Sequence, residues 1–205
     1  MATTVAAALG CRVHSGWAAV VVLAGSPHSP QVMERRRIEI ADPRIPGSKQ
    51  PFHAAEPLQF AKAAAFLERC ETSTRKLARE AVQDIVQSLH SRHHEAVGCG
   101  ILLGSGRALP ELKSILASHA LIHTAEGEFF RQAMLHAGED AGLPVTGIKE
   151  RELYDRGAQQ LRLSADELQR RATELGKPIG PPWTQDQKCA TVVAWLALAN
   201  HRSDR

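Results

Sequence analysis

His119, His123 and Glu126 are the residues of this chain whose types and spacing are best suited to chemistry. At about 100° per residue an α-helix brings the three within about 60° of one another on one face. Two imidazoles and a carboxylate make a donor set for Zn²⁺ or non-haem Fe²⁺. The spacing is near that of H-E-x-x-H, but Ala120 stands where that motif needs its general base, so metalloprotease chemistry is excluded. Glu128 points elsewhere on an intact helix. The alternative is structural: the three groups satisfy one another or cap a neighbouring element, and the residues lean that way.

Two other groups carry weaker signals. Gly104-Ser105-Gly106-Arg107 follows an apolar run and precedes a helix, so its free backbone N–H groups and one guanidinium would suit an anion. It lacks the G-K-[ST] ending of a P-loop and the glycine spacing of a nucleophile elbow, and a plain tight turn is the favoured reading. Arg35-Arg36-Arg37 would touch phosphates if exposed together, but strand alternation sends Arg36 to the opposite face, and protection of a sheet edge is the simpler role. The cations His90, Arg92, His93 and His94 fit a solvated helix terminus.

The elements that must position these residues follow from periodicity. Strands are expected over 4–13, 17–24 and 31–40, the third with alternating charges suited to an edge. After a Pro-rich loop, 42–51, a helix is expected from about 56 to 91, with a break near Glu71-Thr72-Ser73-Thr74. The run 96–103 reads as a buried central strand, Pro110 opens a helical region reaching about 141, and 143–148 gives a last strand. A polar helix over 164–175 and a closing helix with a capping box at Thr184 to Gln187 complete the order. Gly10, Gly16 and Gly104 are expected at strand ends, and Trp183 and Trp195 in the core.

With 205 residues, 43% hydrophobic and 23% charged, the chain suits one domain over 1–205, with room for a helical insertion over 52–72. Only 4% of residues are aromatic, which argues against a stacking platform for single strands. A net charge of +3 decides little. Cys11, Cys70, Cys99 and Cys189 form no C-x-x-C pair, so a cytoplasmic location is expected. The longest apolar stretch, Trp17 to Ala24, is far short of the ~20 residues a membrane helix needs, so no membrane partner is expected.

Three passages resemble the ribonuclease H-like fold, within it the bacterial Holliday-junction resolvases of the RuvC type. They are Gly10 to Val22, Ala117 to Gly127 continuing to Ala141-Gly142-Leu143-Pro144-Val145, and Ala194 to His201. The resemblance implies an α/β fold with a mixed five-stranded sheet flanked by helices. It also implies two divalent ions held by acids on the first strand, the end of the fourth strand and the last helix. This chain departs from that pattern: Arg12 stands at the first position, no acid follows the fourth strand before Glu111, and Thr191-Val192-Val193 leave only Asp186 a turn upstream. The family's nuclease activity is therefore not expected, and no catalytic residue is carried over. What remains is a binding or scaffold role toward nucleic acid or a protein partner, or a metal-dependent enzyme built on His119, His123 and Glu126. The residues specify no cofactor, and they leave a homodimer open.

Overall fold

A computed structural model describes residues 4–104, 106 and 108–203, with side chains through His201. Strands β1 (Val5–His14), β2 (Trp17–Ser26), β3 (Ser29–Glu39), β4 (His94–Leu103) and β5 (Val145–Lys149) join one sheet in the order β3-β2-β1-β4-β5. β2 is antiparallel to both neighbours, whereas β1, β4 and β5 run parallel. Gly16 makes the first hairpin with φ +83°, a conformation a side chain would strain. Its carbonyl accepts from the amides of Ile40 and Ala41, which ties the end of β3 to the turn.

Helices α2 (Phe60–Ser91) and α4 (His119–Asp140) cover one face of the sheet, where Leu9, Cys11, Val20, Val22, Ile85, Leu89, Phe130 and Met134 form one core. Helices α5 (Leu153–Leu161), α6 (Ala165–Glu174) and α7 (Gln185–Ser203) cover the other, around Ala8, Val21, Leu23, Ile148 and the buried side of α7. Two short helices, α1 (Pro51–Ala55) and α3 (Leu112–Leu116), lie beside α4. Among the described residues no helix is long and apolar enough to cross a membrane, and all four cysteines are buried free thiols.

The seat of α7 is set by two glycines. Gly10 and Gly100 are register partners across β1 and β4. A Cβ on Gly10 would stand 1.9 Å from the Ala190 carbonyl oxygen, and one on Gly100 would stand 2.2 Å from that of Val193. The helix backbone therefore rests directly on strand backbone. This corrects the expectation for Gly10, which lies inside β1 and not at its end; the missing Cβ serves helix packing, not a turn.

Three local expectations also change. α2 runs unbroken through 71–74, because Thr72 donates to the Glu68 carbonyl and Ser73 to the Asp42 carboxylate. Both hydroxyls are satisfied without ending the helix. The region after Pro110 divides into α3 and α4, and α5 fills a stretch for which no element was expected. Ser164 caps α6 by accepting from the Glu167 amide, and Gln187 accepts from Thr184 at the start of α7 as the capping box implies.

Candidate functional site

Alternation along β1 turns Leu9, Cys11 and Val13 into the α2/α4 core and leaves Arg12 and His14 on the α7 side. Because α7 lies so close, its first turns meet these two residues. The Arg12 guanidinium donates to Glu150 Oε1 at 2.8 Å and lies 3.3 Å from Asp186 Oδ1. His14 Nε2 donates to the same Asp186 oxygen at 3.0 Å, since an ionised carboxylate can only accept. Trp17 stacks on His14, with ring centroids 4.3 Å apart, and carries the Arg37 guanidinium 3.6 Å above its own ring.

Cys189, one turn into α7, sits 3.7 Å from the Arg12 guanidinium and accepts from Gln185. Burial pushes its thiol up despite the nearby cation, so at neutral pH it is a thiol and a poor nucleophile. Two carboxylates from distant elements thus converge at the strand ends, and a fixed cation lies between them. Arg12 and Asp186 were both legible in the sequence; Glu150 was not singled out. Its only signal was an acid immediately after a strand, a place where sites in α/β sheets commonly form.

The histidine cluster is built by α1 and the start of α4. His119 and His123 are one turn apart and exposed, with their Nε2 atoms 3.0 Å from each other. Glu126 is 2% exposed. Its Oε1 accepts the backbone amides of Phe52 at 3.0 Å and His53 at 3.3 Å, and its Oε2 takes His53 Nδ1 at 2.6 Å. The third imidazole is therefore His53, and a ligand nitrogen from each of His53, His119 and His123 lies within 4.8 Å of the others. Glu126 stands behind His53 and is not a member of that group. No local pattern marked His53, which lies in a five-residue helix.

The remaining candidates separate. Ser105 and Arg107 lie outside the described residues. Gly104 faces the Arg131 guanidinium, as does Gly127, so that Arg131 fills the space both glycines leave. Arg35 donates to the carbonyls of Gly180, Pro181 and Pro182, clipping that loop to the sheet edge. Arg36 pairs with Glu34 and Asp84, and Arg37 with Glu39. The basic run is thus engaged within the chain.

No family model matches the sequence, and no curated protein matches it significantly. Solved structures do match. RuvC of T. thermophilus in complex with a Holliday junction substrate aligns over 97% of this chain and 96% of that one, with a TM-score of 0.57 and 11% identity. A second Thermus thermophilus RuvC structure aligns over the same shares with a TM-score of 0.53, also at 11% identity. At that identity the likeness concerns the fold, and the chain carries a RuvC-like, ribonuclease H-like α/β fold.

Proposed function

We propose that this protein binds branched or duplex nucleic acid at the α7 end of its sheet and does not cleave it by two-metal chemistry. The observation that carries the reading is Arg12, whose guanidinium lies 2.8 Å from Glu150 and 3.3 Å from Asp186. The pattern of the first strand, by its resemblance to the resolvases, implies a metal-binding acid where this chain has Arg12. Two magnesium ions need clustered carboxylates free to coordinate them. Here the two carboxylates are matched by a resident cation, and a further divalent ion would meet its repulsion at close range. Nucleic acid is favoured as the partner by the likeness to a RuvC that holds a Holliday junction substrate.

The test is a four-way junction and an RNA–DNA hybrid titrated with purified full-length chain, scored for binding and for Mg²⁺- or Mn²⁺-dependent cleavage against a mock purification. Salt-sensitive binding without cleavage is expected. Cleavage that Asp186→Asn abolishes would refute the non-cleaving role, and the absence of any nucleic-acid binding would redirect the scaffold role to a protein partner.

A metal-dependent enzyme is the second reading, favoured by a separate observation, the convergence of imidazoles around His119 and His123. Its first requirement is the metal itself.

A further inference from the structure

We infer that His53, His119 and His123 bind one Zn²⁺ ion, with Glu126 holding His53 from behind and the fourth position left to water or an anion. The site shares no residue with the Arg12 cluster and does not depend on the nucleic-acid reading.

The geometry argues first. Zn–N bonds of about 2.0–2.1 Å in a tetrahedron place ligand nitrogens about 3.3–3.4 Å apart. Here the His119 and His123 Nε2 atoms are 3.0 Å apart, and the three ligand nitrogens lie within 4.8 Å of one another. The exposed rings of His119 and His123 can close that difference by rotation about their own side-chain bonds, with no movement of the buried core. The three rings crowd together, with centroids 4.7 Å apart for His53 and His123 and 5.4 Å for His53 and His119.

The second argument is the buried carboxylate. Glu126 is 2% exposed, and its oxygens accept from two backbone amides and His53 Nδ1. The contact to the carboxylate engages Nδ1 and leaves Nε2 as the ring nitrogen available to an ion. A carboxylate behind the outer nitrogen of an imidazole is the arrangement that orients metal-bound histidines and raises their basicity. Glu126 also pins α1 to α4, which fixes where His53 stands relative to the pair on α4.

The third argument is the donor set. Three neutral imidazoles suit a borderline ion such as Zn²⁺, and the absence of a carboxylate among them leaves the ion's charge uncompensated. An anion or an acidified water is the ligand that such a position takes. His53 lines an open cleft with Ser15, Gly47, Lys49, Gln50 and Ala54, so one side of the site is reachable from solvent and carries a lysine.

The experiment strips the full chain with chelator, removes the chelator and titrates Zn²⁺ by calorimetry, with Co²⁺ as a spectroscopic substitute. One equivalent of Zn²⁺ and the intense visible bands of tetrahedral Co²⁺ are expected. His119→Ala and His123→Ala change exposed side chains, and each should weaken binding at least about 100-fold while the thermal transition of the metal-free chain stays unchanged. Glu126→Gln should weaken it by about 10–100-fold. Failure to bind Zn²⁺ above a mock-treated control would overturn the proposal, as would one-equivalent binding that survives in His119→Ala and His123→Ala. Junction binding is measured on the same metal-free samples, so that loss of one reading is told apart from loss of the other.

Discussion

Replacing Gly10 by Ala should loosen α7 from the sheet and lower stability by about 3–5 kcal/mol. The added Cβ would stand 1.9 Å from the Ala190 oxygen, 2.6 Å from the Ala194 nitrogen and 2.7 Å from the Ala194 Cβ. Ordinary contact starts near 3.4 Å, so the shortfall is about 1.5 Å, and overpacking on that scale commonly costs about 1–3 kcal/mol. The cost here lies above that range because the nearest obstacles are main-chain atoms, which no rotamer change can move. Strand and helix must separate, and a gap of about 0.5–1 Å already forfeits a quarter to a half of each dispersion contact across it. α7 buries Val192, Val193, Ala194, Trp195 and Leu196 in this interface. At about 2–4 °C per kcal/mol for a chain of this size, Tm should fall by about 6–20 °C.

Gly98→Ala is the matched control. Its Cβ would meet Ala197 and Pro144 at 3.5 Å, which is ordinary contact, so the change should stay within about 0.5 kcal/mol or stabilise slightly through the unfolded chain. Urea denaturation followed by circular dichroism, with thermal scans, reads both variants. If Gly10→Ala proves as stable as Gly98→Ala, the direct backbone seating of α7 is wrong, and with it the reason Asp186 lies beside Arg12.

Two further outcomes follow from buried polar groups. Glu126→Ala leaves the amides of Phe52 and His53 and the His53 ring nitrogen without their acceptor, and urea midpoints should show a loss of about 1–3 kcal/mol for each donor left dry; a loss below about 0.5 kcal/mol would mean that α1 is not anchored through this carboxylate. Asp42 accepts from the Arg44 side chain and amide and from Ser73, which hold its carboxyl well below the usual carboxylate range. Since its folded pKa is depressed, its stabilisation is present above the unfolded value of about 3.9 and is lost as pH falls toward the folded one. Asp42→Asn should therefore be less stable than the parent at pH 7, with the difference shrinking below about pH 4; a pH-independent difference would contradict the assignment.

The sequence by itself determined what short-range periodicity can encode. Alternation along 5–14 decided that Arg12 and His14 share a face, and a spacing of four put His119 beside His123 on α4. The glycine at 16 fixed the first hairpin because it alone adopts φ +83° without strain. The order of elements was enough to suggest the ribonuclease H-like fold, and α5 could have been found as well, since Leu153, Tyr154, Ala158 and Leu161 recur at helical spacing and pack on α7. Only the tertiary structure decided which distant residues meet. Glu150 reaches Arg12 across 138 residues, and Asp186 reaches His14 across 172. His53 comes to the α4 pair through Glu126, 73 positions away. In the sequence Gly10 reads as a strand end and Gly100 as one more residue of a buried strand; only their pairing forms the groove that seats α7. Sheet register and helix seating are set by complementary surfaces from the whole chain, so the partners of a side chain appear only when those surfaces are in place.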